Sequence, residues 1–250
     1  MADVLTFVQR GFTAMVCAVA LVGCAVPEAP RGEVGRYKLA LPEPSRWTEI
    51  PVGQIFQAPP AVAGEPGALP LRTRAWGLPG ADGAWQAVAL LHVGDAARST
   101  APSWAGVCPQ QRGALVEDAA AGSATRIDCL RLRRWATVDH WLERQRPDLA
   151  GWVQQQALRL GGSPALVSHM LTSAGGELVM LDVLVDQALV RPETRGNDAF
   201  LRAGLPAQAW SERVAQAVRQ ATGMVDGHLA LPPFPFVSHL SPSPVPRTSP

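Results

Sequence analysis

A chain of 250 residues with 22 basic and 21 acidic side chains has almost no charge bias, and a net charge of +1 argues against a nucleic-acid partner held through a basic surface. Hydrophobic residues make up 47% of it, enough for a packed core and too many for a wholly disordered chain. Lys38 is the only lysine, and beside abundant Ala, Gly and Pro this arginine preference reads as coding bias rather than as an arginine-specific function.

The stretch Gly11 to Cys24 is apolar apart from Thr13. About a dozen apolar residues are too short to cross a hydrocarbon core, which needs roughly 20 in a helix. The length suits the apolar region of a secretory signal, with Met1 to Arg10 as a weakly charged lead-in. The run closes on Leu21-Val22-Gly23-Cys24, which resembles the lipobox of bacterial lipoproteins. That resemblance covers the leader alone. It implies cleavage before Cys24, diacylglycerol on its sulfur, acylation of the new amine, and membrane lipid as a partner. Each buried methylene adds about 0.8 kcal/mol, so several acyl chains make such an anchor effectively permanent. Ala25 follows the cysteine where an Asp retains enterobacterial lipoproteins in the inner membrane, so the expected address is the outer membrane, facing the periplasm.

Residues 24–45 carry four prolines and two glycines and read as a flexible tether. Residues 232–250 carry seven prolines and read as a disordered proline-rich tail. Between them, residues 46–231 are long enough for one domain with a sizeable core.

Within that domain, Trp47 to Val52 is expected as a short strand, and Arg72–Leu78 with Trp85–Val93 as a hairpin. In the second of these both alternating sets are apolar, as a central strand covered on both faces requires. Leu115–Glu117 and Thr125–Trp135 form another strand pair. A short helix carries Val138, Trp141 and Leu142, capped by Thr137 or Asp139. A second opens at Pro147 and runs through Leu160 to Gly161-Gly162. Leu166–Ser173 and Glu177–Val185 make the clearest hairpin, turned at Ala174-Gly175-Gly176. Asn197–Ala203 is a brief helix, and Pro206 opens the last one, with Trp210, Val214, Ala217, Val218 and Ala221 on one face. This order predicts an α+β fold, a mostly antiparallel sheet in a single domain with helices packed mainly on one face.

With Cys17 lost with the leader and Cys24 acylated, Cys108 and Cys129 are left. In an oxidising compartment they most simply form a disulfide, closing a loop of about 20 residues worth roughly 3 kcal/mol. A metal pair and a nucleophilic thiol are the rivals, and neither has the spacing or a nearby histidine to support it. The sequence holds no nucleophile elbow, zinc-protease helix, phosphate loop or calcium loop, so neither metal nor cofactor is expected.

One pairing carries possible acid–base chemistry. If Gly175 and Gly176 are the central turn residues, His169 lies opposite Asp182, and a carboxylate beside an imidazole orients a general base. A structural pair is the competing reading, because Asp182 sits in an apolar strand and needs a partner anyway. Turning at Ala174-Gly175 instead would separate the two. Eight tryptophans against one tyrosine add a third idea, glycan binding by exposed indoles at Trp47, Trp76, Trp104 or Trp135. Arg126, Arg131, Arg133 and Arg134 read as a solvated strand face. The leading expectation is a non-enzymatic, lipid-anchored domain that binds an envelope protein or supports the envelope. The alternatives are an envelope hydrolase or transferase and a glycan-binding module.

Overall fold

The computed structural model describes residues 32–58, 70–80, 83–94, 108, 114, 116–119, 127–134, 140–161, 164–192 and 194–236. The leader, Cys24, Trp104, Arg126, Trp135, Thr137 and Asp139 lie outside them. Among the described residues no helix is long and apolar enough to cross a membrane.

The elements run β1 (Gly32–Val34), β2 (Tyr37–Ala40), β3 (Thr48–Ile50), β4 (Phe56–Gln57), β5 (Pro70–Pro79), β6 (Trp85–Gly94), β7 (Val116–Ala119) and β8 (Asp128–Arg134). They continue as α1 (Trp141–Gln145), α2 (Pro147–Gln155), β9 (Pro164–Thr172), β10 (Leu178–Asp186), α3 (Gln187–Val190), α4 (Asn197–Arg202), α5 (Gly204–Gly223) and β11 (His228–Ala230). The main sheet has eight strands in the order β3-β5-β6-β10-β9-β8-β7, with β4 also on β5, and every pairing in it is antiparallel. A second sheet pairs β1 with β2, and β2 in parallel with β11. The fold is α+β and dominated by its sheets.

Two largely apolar strands, β6 and β10, occupy the middle of the sheet, and they supply a core to each face. Ala87, Ala89, Leu91, Val179, Leu181 and Val183 point to one side. Val88, Leu90, Leu178, Met180 and Leu184 point to the other. Alternation with period two makes this possible because both sets are largely apolar, His92 and Asp182 being the polar exceptions on the second face. The first core is closed by α5, through Trp210, Val214 and Val218, and by the small sheet, through Val34, Tyr37 and Leu229. The second is closed by α1 and α2, through Trp141, Leu142, Leu149 and Trp152, with Phe56 and the Cys108–Cys129 disulfide beside them. Full burial of such a side chain contributes about 1.5–3 kcal/mol, so both layers stabilise the sheet substantially.

The structure corrects the proposed boundaries at both ends. Gly32 to Ala40 is not tether but β1 and β2, with Tyr37 fully buried. Gly32 permits the close approach, because a Cβ there would collide with the Trp76 indole. Pro232 to Phe236 likewise belongs to the body, with Trp210 Nε1 donating to Pro232 O at 3.1 Å and Phe236 N to Leu189 O at 3.0 Å. Polar and proline-rich composition hid these segments, and contacts with residues almost 200 positions away order them.

Helix α2 also stops short of its expected end. Ala157 takes a left-handed φ of 48°. Leu158 N then bonds Val153 O at 3.0 Å and Ala157 N bonds Gln154 O at 3.0 Å, the Schellman pattern that ends a helix. Leu160 is thereby freed to bridge Trp85 beside the main sheet.

Candidate functional site

The hairpin between β9 and β10 decides which acid meets which imidazole. Ser173 N bonds Glu177 O at 2.8 Å and Gly176 N bonds Ser173 O at 3.0 Å, so three residues lie in the loop. Ala174 and Gly175 are the centre of the turn, and Gly176, at φ 81°, takes the left-handed position that follows a turn of this length. The register therefore puts Asp182 opposite Ser168 and His169 opposite Leu181. His169 and Asp182 point to opposite faces of the sheet, and the acid–base pair expected from a two-residue turn does not exist. A one-residue slip in register transfers every side chain to the other face.

Each of the two residues has a different set of partners. On the α1–α2 face, Asp182 Oδ2 accepts a hydrogen bond from Arg146 Nη1 at 2.8 Å and faces His92 Nε2 at 3.3 Å. The other nitrogen of His92, Nδ1, is 2.7 Å from Thr73 Oγ1 on β5. Arg146 also clasps Asp148 with Nε at 3.1 Å and Nη2 at 3.2 Å. His92 and Asp182 are wholly buried, and Arg146 nearly so. Burial pushes the Asp182 carboxyl up, but Arg146, His92 and Ser168 more than reverse this and hold it below the usual carboxylate range. Burial acts against the Arg146 charge too, and its two carboxylates raise its pKa above the ordinary value.

Arg146 is aimed by its place in the backbone. It joins α1 to α2, its N–H bonding Leu142 O at 2.8 Å and its carbonyl accepting from Ala150 N at 2.9 Å. Pro147 costs nothing at the first position of α2, where an N–H has no partner within the helix. The guanidinium thus ties both short helices to the centre of the sheet.

On the α5 face, His169 Nε2 lies 2.9 Å from Asp128 Oδ1. Arg219 of α5 grips the same carboxylate, Nε to Oδ2 at 2.8 Å and Nη2 to Oδ1 at 3.0 Å. Burial raises the Asp128 pKa, and the His169 and Arg219 contacts outweigh it, bringing the group down to about 2. The Asp128 side chain keeps 18% of its surface exposed and that of Arg219 35%.

Both imidazoles are thus engaged with a carboxylate that an arginine also holds. A hydroxyl, an imidazole and a carboxylate follow one another in Thr73, His92 and Asp182, the order of groups in a nucleophilic triad. The carboxylate is spent on the Arg146 clamp, however, and the imidazole packs edge-on against the buried Phe56 ring at 4.9 Å between centroids. Packing of this kind serves to dock α1 and α2.

The tryptophans assign themselves by burial. Trp47 and Trp76, two of the glycan-binding candidates, are 4% and 0% exposed and so are core residues. Trp141, Trp152 and Trp210 are core as expected. Arg133 lies over the Trp141 ring at 4.5 Å, which places it against α1 rather than on a solvated face. Cys108 and Cys129 are joined in a disulfide, Cα atoms 5.7 Å apart, on the α1–α2 side of the sheet. No group of three or more metal-ligating side chains occurs among the described residues.

A cleft lies away from both charge sets, lined by Arg46, Trp47, Leu78, Gln86, Leu189 and Phe234 among others. Nothing in the sequence singled it out, because half its wall comes from the two segments read as tether and tail, Pro42 and Glu43 from the first and Pro233, Phe234 and Phe236 from the second. Compared with family models, with curated proteins and with solved structures, the chain finds no match in any of the three.

Proposed function

We infer that the chain is a lipid-anchored protein of the bacterial cell envelope, a binding or envelope-support domain that carries out no catalysis. Leu21-Val22-Gly23-Cys24, at the end of an apolar run of signal length, carries this reading. The Cys108–Cys129 disulfide supports it, since such bonds persist in oxidising compartments. Two imidazole–carboxylate pairs committed to arginine clamps support the non-enzymatic part. Seven residues separate Cys24 from Gly32, the first residue of β1. Fully extended, that connection reaches roughly 28 Å, so an acylated Cys24 keeps the body close to the bilayer. With Ala25 after the cysteine, the proposed address is the outer membrane, facing the periplasm, with an envelope protein as partner.

The intact mass of the mature protein tests the anchor. The expected species begins at Cys24 and carries acyl mass. A chain that retains residues 1–23, or one that starts at an unmodified Cys24, overturns it.

A further inference from the structure

After β11 the chain reads Leu231-Pro232-Pro233-Phe234-Pro235-Phe236. Its three prolines have no N–H to donate, so β11 cannot be extended past Leu231 by ladder bonding. The segment instead crosses a slot between Trp47 and Trp210. Trp210 Nε1 donates to Pro232 O at 3.1 Å, and Phe236 N donates to Leu189 O at 3.0 Å. The Phe234 ring lies between the two indoles, with centroids 6.3 Å from Trp47 and 5.2 Å from Trp210. An indole N–H to a proline carbonyl, inside an aromatic groove, is how proline-rich ligands are held when they come from another chain.

We propose that this slot is a peptide-binding site for extended proline–aromatic segments, and that Pro232–Phe236 is a resident ligand which a partner segment of the same chemistry displaces. The proposal names the partner class for the binding role inferred above and rests on that role, though not on lipid attachment. Three observations carry it. Pro233 is exposed, and Phe234, Pro235 and Phe236 are only half-buried, so the resident segment is accessible to exchange. Two hydrogen bonds hold it, against a continuous ladder for each central strand of the main sheet. Beside Phe234 the cleft retains about 40 Å³ of free space, with the Glu43–Arg46 ion pair and Gln86 on its lining.

The geometry also favours a different protein over a second copy as the occupant. The last ladder bond, Leu231 N to Ala40 O, and the Trp210 contact to Pro232 are one residue apart. A segment so closely tied cannot reach a neighbour's slot while β11 stays paired.

The test uses the full-length protein, a Phe234→Ala variant of it, and a fluorescein-labelled peptide of residues 230–238. In the wild type the resident segment competes at the high effective concentration of an intramolecular ligand. Anisotropy should therefore show the variant binding the peptide about tenfold tighter or more, and the peptide losing its binding when its own Phe234 is alanine. Equal binding by wild type and variant overturns the proposal, as does binding indifferent to the peptide's Phe234. A variant that self-associates without taking up peptide also overturns it, in favour of exchange between copies. If Phe234→Ala unfolds, as circular dichroism would report, Phe236→Ala removes only the outer ring and the same comparison decides. Failure here leaves the lipid anchor standing, and an unmodified Cys24 leaves the slot standing, so the two readings fail separately.

Discussion

The two faces of the main sheet carry the same three side-chain types, a histidine, an aspartate and an arginine, under different covers. Beneath α1 and α2, Asp182 is sealed, and His92 and Arg146 are sealed with it. Beneath α5, Asp128 and Arg219 reach the rim and keep contact with water. The carboxylate–guanidinium distances barely differ, 2.8 Å at the closest in each set. Burial, rather than bond length, sets the cost of breaking them. A charge left alone in a dry site has no solvent to replace its lost partner, whereas one at the rim is rescued by water.

The largest expected effect comes from the sealed set. Arg146→Met leaves the Asp182 carboxylate buried without its countercharge and should cost about 3–5 kcal/mol in urea denaturation. Pairing it with Asp182→Leu should recover most of that loss, because the isolated charge goes too. If the single variant costs no more than a change at Asp128, the contrast between the faces is wrong.

Next comes the disulfide on the same face. Converting Cys108 and Cys129 to serine removes a cross-link spanning 21 positions. The loss should be about 3 kcal/mol, read as a fall in Tm of roughly 10 °C.

Asp128→Asn tests the open set and should cost on the order of 1–2 kcal/mol at neutral pH, with a signature in acid. The folded-state pKa of Asp128 is depressed from 3.8 to about 2. Between those values the unfolded chain binds the proton more readily, so stability rises with pH there and falls away on acidification. Wild type should therefore lose stability from about pH 4 down to about pH 2, while Asp128→Asn shows a shallower slope over that range. Parallel acid-denaturation curves for the two would show that the His169–Asp128–Arg219 contacts contribute nothing to folding.

The smallest effect is expected from a pair at the surface. Arg74 forks onto Glu49 at 2.7 and 2.8 Å, with both side chains about a third or more exposed. Arg74→Gln should cost less than 1 kcal/mol, and what it costs should shrink in high salt.

Much of the main sheet was legible in the sequence. Strands β6, β9 and β10 announce themselves as largely apolar stretches, β5 as the partner of β6 across a turn rich in Gly and Pro, and the double apolar alternation of Trp85 to Val93 marks a strand covered on both sides. The need of Asp182 for a partner was also legible. Arg146 as that partner was not, since 22 basic residues compete for the role and only the helix junction aims one of them. The small sheet was missed because β1, β2 and β11 have three, four and three residues, too few for a periodicity to show. Phe234 was missed for a different reason: a proline-rich run looks unstructured until the indoles that receive it are in place.

From local pattern alone this chain determined the order of the longer main-sheet strands and of the principal helices, and the burial of its central strands, because side-chain alternation and turn residues act over a few positions. Only the tertiary structure decided which aspartate faces which imidazole, and that Gly32–Ala40 and Pro232–Phe236 belong to the folded body. The reason is physical. A left-handed Gly176 adds one residue to a turn and so turns every later side chain over, and short strands acquire their order from partners far along the chain.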